Sequence, residues 1–142
     1  MNVTRSLAIL LIAIPTVVAA GDDAPDPATL KDKVTIAVGK KFIVQFERKG
    51  DVLGNPKVIE KVSDKTPTPT FDFSKKDDNL ILLTNNPFPK DLKFRALARL
   101  KGRKNYFETS IVPVRSGLLS IELWQDPIEE LILFDFKLTG EK

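Results

Sequence analysis

Leu92-Lys93-Phe94-Arg95-Ala96-Leu97-Ala98-Arg99-Leu100 is the stretch on which the fold class turns. Its leucines, alanines and arginines have high helix propensity, and a helix here would be basic and amphipathic. The spacing decides otherwise. At 100° per residue Lys93, Arg95, Arg99 and Lys101 scatter around the wheel, whereas at 180° they share one side and Phe94, Ala96, Ala98 and Leu100 share the other. Only Leu97 breaks the alternation, and propensity is a weak prior against so regular a pattern. The stretch is expected as a β-strand with one basic and one buried face.

The same period of two extends outward from it. Upstream, Val34, Ile36 and Val38 alternate with polar or small residues, as do Phe42, Val44 and Phe46, with Gly39-Lys40 as a bend or hairpin point between the two runs. Val58, Glu60 and Val62 give a weaker third run after Gly54-Asn55-Pro56. Pro67 and Pro69 mark a loop or an edge, because proline removes a ladder donor. Phe71 and Phe73 begin a further strand, and a polar turn at residues 75–79 leads into Leu80-Ile81-Leu82-Leu83, which is apolar on both faces and reads as a central strand. Downstream, residues 106–114, 118–124 and 130–138 are separated by Arg115-Ser116-Gly117 and Gln125-Asp126-Pro127.

Eight or nine short strands, no convincing helix and no repeat point to an all-β, antiparallel two-sheet sandwich of the immunoglobulin-like type, with a small antiparallel β-barrel as the alternative. The likeness is one of architecture. The Cys, Trp and Cys landmarks of true immunoglobulin domains are missing, since the chain has no cysteine.

The first residues carry a different message. Arg5 precedes an apolar run from Leu7 to Val18, interrupted only by Pro15 and Thr16, and small residues follow at Ala19 and Ala20. That is the layout of a secretory signal peptide, too short to span a bilayer, so residues 1–20 are expected to be cut away after Ala20. Residues 21–31 are then expected as a flexible acidic, proline-bearing leader, and residues 32–142 as a single β-sandwich domain. The product is expected to be periplasmic or secreted, with no integral membrane segment. Stability without a disulfide has to come from ordinary packing, a pattern commoner in bacterial envelope proteins than in secreted animal domains.

Composition removes whole classes of chemistry. Without histidine there is no Ser-His-Asp triad, no neutral-pH imidazole shuttle and no imidazole zinc ligand; without cysteine there is no thiolate nucleophile or thiolate metal site. Neighbouring carboxylates such as Asp77-Asp78 and Glu129-Glu130 point to opposite faces of a strand, and Glu108, Glu122 and Asp135 lie on different strands, with solvated positions the simpler expectation. Asp22, Asp23 and Asp26 match no defined calcium loop, and the dispersed glycines form no phosphate cradle. No cofactor, no metal and no catalytic residue is expected.

Loss of Arg5 leaves the released chain at a net charge of +2, too small to argue for nucleic acid. Its distribution is uneven, with seven cations against Asp91 across residues 90–104 and only acids across residues 118–135. Lys93, Arg95, Arg99 and Lys101 would stand about 7 Å apart along one strand face, with Arg103 and Lys104 in the following turn. Such a ridge suits an acidic protein surface or an anionic envelope polymer, unless Glu122, Glu130 or Asp135 on a neighbouring strand neutralises it. Trp124 shares parity with Ser120 and Glu122, opposite Leu119, Ile121 and Leu123, so it points outward as a candidate anchor for a protein or sugar, or caps one end of the fold. The expectation is a noncatalytic exported binding module recognising a protein or anionic envelope surface through Lys93, Arg95, Arg99, Lys101, Arg103, Lys104 and Trp124. The alternative is a small exported inhibitor or immunity-type protein that blocks one enzyme.

Overall fold

A computed structural model of the chain describes residues 9–13 as backbone and residues 24–62 and 65–140 in full; the expected cleavage point after Ala20 lies outside them. The fold is all-β, with nine antiparallel strands and one short parallel strand in one curled sheet that forms a half-barrel. In chain order the strands are β1 (Ile9–Ala13), β2 (Val34–Ala37), β3 (Lys40–Lys49), β4 (Val52–Ile59), β5 (Thr70–Lys76), β6 (Asn79–Asn85), β7 (Asp91–Leu100), β8 (Tyr106–Thr109), β9 (Leu119–Trp124) and β10 (Ile128–Thr139). Their order across the sheet is β1-β9-β6-β5-β3-β4-β10-β7-β8, with β2 also paired to β10; the β1 to β9 pairing alone is parallel.

Residues 92–100 form β7, with Phe94, Ala96 and Ala98 buried and Lys93 and Arg95 exposed. Leu97, the break in the alternation, is buried on the opposite face. Both faces of this region are therefore covered. β10 runs antiparallel to β7 along most of its length, and its other edge is shared: β2 takes the first half, and β4 meets the second half only at Val52 opposite Lys137. At that thin seam the Leu138 amide donates to the Asp51 carbonyl at 2.7 Å, and the Lys90 ammonium reaches the Asp51 carboxylate at 3.0 Å.

The main core fills the concave side of the curl. Phe94 lies 5.6 Å from Phe71, edge-on, and 5.6 Å from Phe136, stacked, while Phe73 meets Trp124 edge-on at 6.1 Å. A second, small core of Leu97, Ile132 and Phe134 sits on the outer face of β7 and β10, and Ala24, Leu30 and Tyr106 pack on it. The leader is thus docked at residues 24–30. Asp26 caps a 3-10 turn at Pro27–Thr29 by accepting from the Ala28 amide, and the Lys33 ammonium donates to the Pro27 carbonyl at 2.7 Å.

Two other expectations change. Gly54-Asn55-Pro56, ahead of the weak third run, lies inside β4, where Asn55 adopts a φ of 48° and the pairing with β3 shifts register. Pro56 is tolerated because β4 has almost no ladder on its far side. The run after it marks no core face, since Val58 and Val62 are 54% and 61% exposed. The run over residues 106–114 is a strand only as far as Thr109, after which Val114 forms an isolated bridge with Leu92. That bridge is held by Asn86, fully buried, whose side-chain amide donates to the carbonyls of Lys90 and Val114 and accepts from the Phe88 amide.

Phe94→Ala should cost about 3–5 kcal/mol in chemical denaturation, because it empties the middle of the aromatic cluster. Lys93→Ala, on the exposed face of the same strand, should stay within about 0.5 kcal/mol of wild type.

Candidate functional site

The basic ridge exists as a row of positions but not as a row of free charges. Arg95 grips Glu108 on β8 with two hydrogen bonds, 2.8 Å from Nε and 2.7 Å from Nη2, and Asp135 on β10 stands 3.9 Å away. Its guanidinium also lies 4.9 Å above the Phe134 ring. Arg99 donates to Glu129 at 2.9 Å and to the Arg103 carbonyl at 3.2 Å, with Glu130 at 3.7 Å. Glu130 in turn accepts from the Tyr106 hydroxyl. The register explains these pairs, because β7 sits between β8 and β10, with Leu97 opposite Glu108, Arg99 opposite Glu130 and Arg95 opposite Phe134.

Electrostatics follow the geometry. The hydrogen bonds from Arg95 hold the Glu108 carboxyl below the ordinary carboxylate range, and the Arg95 guanidinium is correspondingly harder to deprotonate. Burial, then the bond to Glu130, pushes the Tyr106 phenol up. Two of the three acids expected as neutralising partners, Glu130 and Asp135, do face the ridge, while Glu122 does not. Among the described residues, Lys93, Lys101, Arg103 and Lys104 make no side-chain ion pair within 4.0 Å, so the unpaired charge gathers near the turn from β7 to β8.

β9 is the larger correction. Its apolar side, Leu119, Ile121 and Leu123, is the outer one, and Ser120, Glu122 and Trp124 point into the fold. Trp124 is 1% exposed and donates its indole N–H to the Thr109 hydroxyl at 2.9 Å, so it is not an accessible anchor. Glu122 is equally buried and accepts from the Val112 amide at 2.8 Å with one oxygen, while the other has no partner. The two side chains bridge the gap between β9 and the chain around β8, which are not paired in the sheet. Burial pushes the Glu122 carboxyl up to about 7, against the opposing pull of the Val112 hydrogen bond.

The carboxylates do not assemble into a catalytic pair: Glu108 and Asp135 flank one arginine, and Glu122 lies inside the fold away from them. No group of three metal-ligating side chains occurs among the described residues. A concavity of about 320 Å³ opens where the turns meet at one end of the sheet, lined in part by Lys75, Asp78, Lys101, Asp126 and Glu129. Its charges are mixed, and Glu129 is already held by Arg99.

The remaining surface feature is apolar. Ile81 and Leu83 on β6 lie opposite Leu123 and Ile121 on β9, and all four are partly exposed on the outer face together with Leu119. One strand further in, the outward residues of β5 are Thr70, Asp72 and Ser74. The apolar surface is therefore confined to the two strands nearest the β9 end of the sheet. Comparison with family models, with curated proteins and with solved structures returned no match for this chain.

Arg95→Glu with Arg99→Glu should lower stability by about 1–2 kcal/mol, since it sets new carboxylates against Glu108, Asp135, Glu129 and Glu130. Lys101→Glu with Lys104→Glu should leave thermal melting within the range of an ordinary surface change, about 0.5 kcal/mol. For Glu122 the sign runs the other way from a paired acid. The folded state keeps its proton up to about pH 7 while the unfolded chain loses it near 4.5, so this group makes stability fall as pH rises between those values and contributes no slope above them. Glu122→Gln should flatten that slope in denaturation series from pH 4.5 to 8, and at pH 8 should raise stability by about 1–3 kcal/mol by removing a buried unsatisfied charge.

Proposed function

We propose that this chain is a noncatalytic exported module, periplasmic or secreted, that recognises a protein partner. The observation that carries the reading is the apolar outer face of β6 and β9, where Ile81, Leu83, Leu119, Ile121 and Leu123 stand together while the neighbouring strand is polar. Contiguous apolar surface of this kind marks interaction sites in soluble proteins. The signal-peptide pattern of residues 1–20 supports export, and a chain without histidine or cysteine is poorly equipped for catalysis. An enzyme blocked by this protein, as an inhibitor or immunity-type protein would do, is one kind of partner that fits.

A second reading keeps the anionic envelope polymer as ligand. The cations Lys101, Arg103 and Lys104 favour it, grouped at one turn and in no ion pair within 4.0 Å among the described residues. The two readings respond oppositely to salt, because screening weakens contacts between exposed charges and leaves apolar contacts standing.

For the fold itself we read the curled sheet as an immunoglobulin-like sandwich, with β9, β6, β5, β3 and β4 facing β2, β10, β7 and β8. The small barrel is the alternative. The single Val52 to Lys137 pairing at the seam favours two sheets over a continuous wall.

Export should yield a chain that begins at Gly21 and is recovered in the soluble fraction, together with one stoichiometric protein partner that survives high salt. Leu83→Lys with Ile121→Lys should remove that partner without lowering the melting temperature. Release by salt, with loss on Lys101→Glu, Arg103→Glu and Lys104→Glu, would instead establish the polyanion reading. A full-length precursor in the membrane pellet would refute export.

A further inference from the structure

β9 has two edges, and they are not alike. One bonds β6 in a regular antiparallel ladder; the other bonds only β1, in parallel, with Ile9 opposite Leu119, Ile12 opposite Ile121 and Ala13 opposite Glu122. β1 lies within residues 1–20, the segment whose pattern is that of a removable leader. Among the residues whose side chains are described, the two cores are built from Ala24 and beyond. Removal of residues 1–20 takes away the strand paired to this edge of β9.

A bare edge of this composition is unusual. Soluble proteins blunt exposed edges with lysine, proline, bulges or covering loops, because a free row of backbone donors and acceptors recruits other chains. β9 reads Leu-Ser-Ile-Glu-Leu-Trp, with no lysine, arginine or proline, and its one charge points inward. The outward side chains next to that edge are also apolar.

We propose that the edge of β9, bared when residues 1–20 are removed, takes up an extended apolar segment of a partner protein as an added parallel strand. The inference rests on the reading of the chain as a partner-binding module and names how the partner is held. The segment that the chain itself places there, Ile-Leu-Leu-Ile-Ala, sets the chemistry: uncharged, rich in isoleucine and leucine, and able to lie extended. Backbone bonds to β9 supply the register, and the apolar face of β6 and β9 gives the segment's side chains a surface to cover. A second copy of this chain fits less well, since two β9 edges meeting about a two-fold axis would run antiparallel, against the direction that β1 adopts.

The test uses the released chain from Gly21, a synthetic peptide carrying residues 7–14 with added terminal lysines for solubility, and a control peptide in which two isoleucines are aspartate. Saturable binding of the first peptide only, with slowed amide exchange at residues 119–124, is expected. A spin label on the peptide's N-terminus should broaden Leu119 more than Trp124. Ile121→Lys should weaken binding at least about tenfold while melting normally. The full-length precursor, whose own β1 competes at high effective concentration, should bind at least about tenfold more weakly than the released chain. Absence of binding, equal binding of the control, broadening at the Trp124 end, or concentration-dependent protection of β9 without peptide would each overturn the proposal, the last in favour of a dimer. Measured on the copurified complex, unprotected β9 amides would sink the strand and spare the binding module; lack of any partner would sink the module itself.

Discussion

The structure depends on one strand that is hydrogen-bonded along both edges and buried on both faces. β10 joins β7 on one side and divides its other side between β2 and β4, so it is the element through which the two halves of the curled sheet are connected. Its inner residues are not evenly spaced. Leu131 and Leu133 point into the main core, and so do Phe136 and Leu138, which a strict period of two would place on the opposite face. Asp135 supplies the correction: at a φ of 59° it is the extra residue of a bulge, and the ladder to β7 skips between Phe134 and Lys137. Aspartate tolerates that conformation better than most side chains. The same bulge sets its carboxylate near Arg95.

What could be read in the sequence was the period, and what could not was the choice of face. The strand character of residues 92–100 is legible because charge and apolarity alternate there without competition, and Phe71 with Phe73, or Val44 with its neighbours, are legible for the same reason. In β9 the rule that apolar residues face inward selects Leu119, Ile121 and Leu123, and it selects wrongly. This strand ends the antiparallel sheet, and its inner face must fill the opening toward β8. A tryptophan with a hydroxyl partner at Thr109 fills that space, and Glu122 ties down Val112. The partners lie ten and fifteen residues away, across a loop that no local pattern places.

The candidate site failed to be legible for a related reason. Seven cations in fifteen residues look like a binding surface when the strand is considered alone. Their neutralisation depends on which strands flank β7, and the flanking pair, β8 and β10, bring Glu108, Glu129, Glu130 and Asp135 to the same face. The acidic run late in the chain and the basic run before it are two halves of one surface network. The leader misled in a similar way. Its composition is that of a loose polar tail, yet Ala24 and Leu30 find a small apolar patch on β7 and β10. That patch is visible in sequence only as Leu97 out of step.

The place of β10 after all three of its partner strands in sequence has a consequence in time. β10 follows β2, β4 and β7 in sequence, so the earlier residues can form the β3–β4, β5–β6 and β7–β8 hairpins but leave the seam between the two halves open. Contacts between residues so far apart in sequence carry a loop-closure cost before they return any stabilisation, which places this topology among slow folders. Synthesis from the N-terminus leaves the chain without this organising strand until residues 128–139 are made, so the hairpins can form early and the two halves are joined late.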